Sequence, residues 1–166
     1  MTRDIRLLWR PDTNSLRLWI ELTMTEREPH PYIAIIESYY SGCNTADVER
    51  MMATFTDDVV HYFVDHAPVS TAAGLADYWA KVGPRTHANW SVDHWLVQEP
   101  EAVIEWSMAW QPPGAASMEI LRGSEWFRFR NGRIAEIRSY HNNVHLQSPD
   151  NRELHGFDYV GRGYRS

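Results

Sequence analysis

The chain has a single cysteine, Cys43, among its 166 residues, so it can form no internal disulfide. A lone thiol suits a reducing compartment, and a cytoplasmic location is the expectation. No apolar run approaches the ~20 residues of a membrane-spanning helix. The N-terminus also lacks the unbroken apolar core of a signal peptide. Basic residues are outnumbered: the net charge is −6, and no basic face offsets it. Neither nucleic acid nor an anionic membrane is therefore expected as a partner. Nucleotide motifs are missing as well, with no G-x-G-x-x-G, no Walker loop and no serine nucleophile elbow. His141 and His145 would stand about 13 Å apart on an extended strand. That is too far to share one ion, so no metal and no cofactor is expected. No internal repeat or linker interrupts the chain, whose length suits one domain with a real core.

What the chain does have is aromatic surface. Eight Trp and eight Tyr suit a large interior or a pocket lined by rings. The most structured stretch is Leu121 to Asn142, LRGSEWFRFRNGRIAEIRSYHN. It reads as two strands joined at Asn131-Gly132, a pair that tolerates the positive φ of a tight hairpin turn. Phe127 and Phe129 alternate with Trp126, Arg128 and Arg130, and Ile134 resumes the apolar face. The next apolar residue is Ile137, one position out of phase. A β-bulge near Ala135-Glu136 restores the face and puts Ile137, Ser139 and His141 beside Phe127. Glu125 then points inward too.

The rest of the chain divides into short elements. Residues 1–28 read as a hairpin, with Ile5, Leu7 and Trp9 facing Leu16, Leu18, Ile20 and Leu22 across the turn RPDTNS. Pro31 opens a helix carrying Tyr32, Ile33, Ile36, Tyr39 and Tyr40, with Gly42 as its terminator. Asn44 or Thr45 caps a second helix bearing Val48, Met51, Met52 and Phe55. Asp57-Asp58 leads into a strand from Val59 to Val64. A third helix follows Ser70-Thr71 with Leu75, Tyr78, Trp79 and Val82, and stops at Gly83-Pro84. Strands at 88–98, 102–111, 118–130 and 133–145 complete a domain spanning 29–146, and 147–166 is an irregular tail. This order predicts an α+β fold: a curved antiparallel sheet wrapped as a cone around three helices, with a cavity inside.

Four stretches, ADVERMMATFTDDVV, GLADYWAKV, RTHANW and FRNGRIAEIRSYHN, together resemble the nuclear-transport-factor-2-like superfamily, and within it the SnoaL-like polyketide cyclase branch. The resemblance covers residues 30–145. It implies the cone-shaped barrel, a homodimer formed through the sheet face, and an internal cavity for a small apolar, oxygenated, polyketide-like substrate. Tyr39 falls where ketosteroid isomerases of this superfamily hold their oxyanion tyrosine, and Glu125 near their protonated aspartic acid. Their general base would land on or beside Phe63, flanked by His61 and Asp65, so that base is missing here. Ser139 replaces the last-strand aspartate of limonene epoxide hydrolase. His87 is the counterpart of the catalytic histidine of scytalone dehydratase.

These positions define a candidate site. His141, Glu125, Tyr39, His61 and His87 carry the acid–base chemistry; Phe63, Asp65, Trp79, Trp90, Trp106, Phe127, Ile137 and Ser139 surround the substrate. Histidine moves protons near neutrality, and neutral donors act where charge develops on an enolate oxygen. A cofactor-independent cyclase, dehydratase or isomerase follows. Two other roles fit the same residues. The cavity can serve a non-catalytic ligand-binding protein, or the chain can be an accessory subunit docked through residues 1–28. For Glu125 the rival placement is the outer face, paired with Arg138; for His141 it is a hydrogen-bonded core position.

Overall fold

The computed structural model describes residues 29–146, 148, 151 and 153–165. The hairpin expected over 1–28 lies outside the described residues. Helix α1 spans Pro31–Thr45 and buries Ile33, Ile36, Tyr39, Tyr40 and Cys43 at three- and four-residue spacing. Gly42 does not end it. A Cβ there would come within 2.6 Å of Met51 Cγ, so the glycine lets the next helix pack closely instead. The left-handed cap is Ala46, at φ 54°. Helix α2, Val48–Thr54, is capped by Asp47, whose side chain accepts from Arg50 N at 2.9 Å. Asn44, expected as that cap, clasps the backbone of Trp90, donating to its carbonyl at 2.9 Å and accepting from its N–H at 2.7 Å.

Strand β1 runs Phe55–Phe63, so Phe55 opens the strand rather than closing the second helix. A short strand β2, Val69–Ser70, precedes helix α3, Ala72–Thr86. That helix passes through Pro84, which sits in its last turn and removes one hydrogen bond without stopping the coil. His87 ends it in the left-handed conformation at φ 49°. Strands β3 (Asn89–Gln98), β4 (Glu101–Trp110), β5 (Glu119–Arg130) and β6 (Arg133–His141) follow. A single turn of 3-10 helix, Val144–Leu146, comes after them.

The six strands form one curved, open sheet in the order β2-β1-β6-β5-β4-β3. It is mixed rather than wholly antiparallel, because β1 lies parallel to β6. The β5–β6 hairpin leaves one edge of β6 free, and β1 enters there in the same direction as β6. Asn131 and Gly132 both have positive φ, at 51° and 72°, as a tight hairpin turn requires. The pairing steps from Arg128–Glu136 to Phe129–Ile134, leaving Ala135 as the extra residue of a bulge. Beyond it Phe127 faces Ile137, Glu125 faces Ser139 and Gly123 faces His141. The phase break at Ile137 thus marks a real bulge, and Glu125 is on the inner face.

The three helices fill the concave side and share one apolar core with the sheet. Residues 153–165 contain no helix or strand. Leu154 and Phe157 pack on Val64 at the end of β1, and His155 N donates to the Phe63 carbonyl at 2.8 Å. Arg162 grips Glu136 through both oxygens, at 2.8 and 2.7 Å, on the outer face. No helix of the described residues is long and apolar enough to cross a membrane.

Candidate active site

The cone encloses a cavity of about 410 Å³ between the inner sheet face and α3. Strand β1 ends at Phe63, and the chain turns sharply there to deliver Asp65 and His66 to the rim. Helix α3 supplies Tyr78, Trp79, Val82 and Thr86, and the next strands supply Trp90, Trp106 and Met108. Glu125, Ser139 and His141 form the polar stripe of the floor. Alternation alone explains that stripe, since 139 and 141 share one face of β6 and Glu125 pairs with Ser139 on β5.

Four side chains at the rim form a continuous chain of hydrogen bonds. His141 Nε2 lies 3.0 Å from Asp65 Oδ2, and His66 Nδ1 lies 2.6 Å from Asp65 Oδ1. Tyr78 Oη lies 3.0 Å from His66 Nε2. Burial by itself pushes the Asp65 carboxyl up, but hydrogen bonds from His141 and His66 prevail and hold it well below the usual carboxylate range. Asp65 is therefore an anion and can only accept. Both imidazoles must then donate to it, His141 through Nε2–H and His66 through Nδ1–H. His66 Nε2 is left as an acceptor for the phenol of Tyr78, whose own pKa is pushed up to about 12 by burial and then by the Asp65 charge. One basic lone pair remains, on His141 Nδ1, and it has no hydrogen-bond partner.

A second polar group sits deeper. Glu125 Oε2 accepts from Tyr40 Oη at 2.9 Å, and Glu125 Oε1 lies 3.5 Å from His61 Nε2. Glu125 is 5% exposed and His61 0%. Burial holds His61 below its ordinary value, against the pull of Glu125, so its ring is neutral near pH 7. Neither of its nitrogens makes a hydrogen bond of ordinary geometry. Its ring stacks on Phe63 at 3.9 Å. Burial and then the Glu125 charge keep the Tyr40 phenol protonated.

The sequence-derived residues thus fall into two sets. Phe63, Asp65, Trp79, Trp90, Trp106, Glu125, Ser139 and His141 line the cavity. Tyr39 does not: it turns toward Phe55 and Tyr40 in the core, and the tyrosine on Glu125 is its neighbour Tyr40. The expected Tyr39–Glu125 pair is therefore not formed: Tyr40 is the phenol that reaches Glu125, because adjacent helical positions point about 100° apart and only one can reach the sheet. Phe127 and Ile137 are fully buried beneath the wall. His61 is buried behind Phe63, and His87 is an exposed helix cap beside Arg85 and Pro113 at an outer depression. His66 and Tyr78 escaped sequence reasoning, although Asp65-His66 directly follows the strand carrying Phe63. No cluster of described residues has a metal-binding arrangement.

Residues 36–137 match the model of the SnoaL-like domain family. Among solved structures, a protein of unknown function with a cystatin-like fold from Methylobium petroleophilum PM1 is 32% identical. It superposes with a TM-score of 0.70 over 82% of this chain and 91% of its own. A putative polyketide cyclase from Sinorhizobium meliloti is 20% identical with a TM-score of 0.54, over 64% of this chain and 94% of its own. A protein with a ketosteroid isomerase-like fold from Catenulispora acidiphila DSM 44928 is 11% identical with a TM-score of 0.61, over 68% and 88%. The latter two likenesses concern the fold alone. Comparison with curated proteins gives no match.

Proposed function

The chain belongs to the SnoaL-like domain family, and from that premise we propose that it is a cofactor-independent enzyme that moves a proton on a small, apolar, oxygenated substrate held in the cavity. The observation that carries this reading is the chain Tyr78–His66–Asp65–His141, which ends on a single unpartnered basic nitrogen. An arrangement that served packing alone would have no need to fix two histidine tautomers and leave a buried nitrogen without a partner on a residue that lines the cavity.

In the proposed reaction His141 Nδ1 takes a proton from a carbon next to a substrate carbonyl. The C–H electron pair passes into the enolate, and negative charge collects on its oxygen. Asp65 holds the ring and balances the charge that the imidazole acquires, while His66 and Tyr78 hold Asp65. The imidazolium then returns its proton to another carbon for isomerisation, or to a departing hydroxyl for dehydration. Alternatively, the enolate carbon attacks a second carbonyl and closes a ring, and the alkoxide that forms takes the proton back from the imidazolium. Glu125, fixed by Tyr40, orients the oxygenated end of the substrate at the deep side. The polyketide-like class rests on the family and on a wall of indole and phenyl rings.

Binding without chemistry is a second reading, supported by the apolar Phe63 where ketosteroid isomerases hold their base. Wash-in of solvent deuterium separates the two. With 2-tetralone in D2O, the protein should speed exchange at the carbon beside the carbonyl, and His141→Gln should lower that rate about 10²-fold or more. Exchange no faster than in buffer, or equal in both proteins, contradicts proton transfer by His141. A homodimer through the sheet face belongs to the same proposal, and sedimentation of the full chain as a monomer would remove it.

A further inference from the structure

Trp106 plays no part in the proton chain, yet the sheet is shaped around it. It sits on β4 opposite Gly123 of β5, and Gly123 sits opposite His141 of β6, so the three form one row across the sheet. A Cβ at Gly123 would come within 2.5 Å of Trp106 Cζ2 and 2.8 Å of Cε2. Any other residue would displace the indole, which lies flat across β5. The ring meets His141 edge-on, with centroids 5.9 Å apart and planes at 61°.

Trp106 is 4% exposed, and its Nε1–H has no acceptor in the protein. A buried indole N–H normally finds one. The unpartnered donor and the unpartnered Nδ1 of His141 thus belong to neighbouring rings, on residues that both line the cavity. On the opposite wall, Trp79 of α3 also lines the cavity, and its Nε1–H is likewise without a partner. A binding site that held only hydrocarbon would bury neither donor.

We infer that Trp106 and Trp79 are substrate-binding residues whose indole N–H groups donate hydrogen bonds to oxygens on opposite edges of a flat, conjugated polycarbonyl or hydroxyquinone ring. The indole of Trp106 serves the oxygen nearest His141. Neutral donors held in place ahead of time suit an oxygen that gains charge as the neighbouring carbon loses its proton. The rings of Trp90 and Trp110, also on the cavity wall, favour a planar ligand over a globular one. This inference rests on the acid–base reading for what His141 does, and not for what the indoles bind.

The test compares 2-hydroxy-1,4-naphthoquinone, which is planar and ionised near neutrality, with naphthalene, which has no oxygen. Trp106→Phe should weaken the hydroxynaphthoquinone about tenfold or more and leave naphthalene within about twofold. In the wild-type protein, the indole N–H resonance of Trp106, assigned through bonds, should move downfield with the hydroxynaphthoquinone and stay in place with naphthalene. That spectrum decides the matter even if the variant folds poorly. Equal loss for both probes, no loss for either, no binding by the wild type, or an unmoved indole resonance overturns the inference. Because no chemical step is involved, its failure is separable from that of the catalytic reading. A selective loss in Trp106→Phe with unchanged deuterium exchange in His141→Gln would keep the donors and remove the base.

Discussion

The rim and the depth of the cavity use the same three chemistries, a carboxyl, an imidazole and a phenol, in opposite ways. At the rim, Asp65 accepts from two imidazoles, and every proton in the group is assigned by its neighbours. In the depth, Glu125 has one close donor, Tyr40, and a histidine at 3.5 Å that burial keeps neutral. Two N–H donors stabilise a carboxylate far more than one phenol does. The rim is therefore electrostatically committed, and it leaves one imidazole nitrogen, His141 Nδ1, without a partner. The deep group has fewer fixed partners and is better suited to orienting a polar end of a ligand.

If that contrast is right, disrupting the rim should act on catalysis and disrupting the depth mainly on binding and stability. The largest effect is expected from Asp65→Asn. The amide can donate as well as accept, so His141 can adopt the wrong tautomer. Deuterium exchange into 2-tetralone should fall about 10²-fold or more with little change in binding of the probe. Next comes Tyr40→Phe, which leaves the buried Glu125 without its donor. Chemical denaturation should show a loss of about 1–3 kcal/mol, with exchange reduced far less than in Asp65→Asn.

Acid should weaken the fold through both regions, in separate windows. His61 has a lowered folded-state value, so the unfolded chain gains its proton first, and stability drops as pH falls below the ordinary histidine value of 6.5. His61→Phe should abolish that limb of the pH–stability curve. Asp65 also titrates lower in the folded state than in the unfolded chain. Its contribution is therefore complete above the ordinary aspartate value of 3.8 and is lost as pH falls further. Asp65→Asn should remove the second limb and leave the first. Smallest of all, Tyr78→Phe removes one outlying hydrogen bond and should change exchange less than Asp65→Asn does.

Much of this architecture was legible in the chain. The skipped position between Ile134 and Ile137 carried the bulge, and with it the inward placement of Glu125, because a period of two cannot otherwise survive. Local punctuation misled where packing overrode it. Gly42 serves the approach of Met51 and not the end of α1, and Pro84 sits in a last turn that tolerates it. The rim group was legible only in part. His141 was apparent from strand alternation, but Asp65 and His66 meet it through a turn after β1, and Tyr78 through a helix. Nothing in a linear sequence states that three separate elements converge. Tyr39 and Tyr40 show the same limit, since a one-residue rotation decides which phenol reaches Glu125.

The central claim is that His141 donates Nε2–H to Asp65 and leaves Nδ1 free to take a substrate proton. Two-bond proton–nitrogen spectra of the histidine rings near neutrality read this directly, with the His141 signals identified by their loss in His141→Gln. The predicted pattern is a protonated Nε2 and an unprotonated Nδ1, changing to the other tautomer or to a mixture in Asp65→Asn. A proton on Nδ1, or on both nitrogens, in the ligand-free wild-type protein would contradict the account.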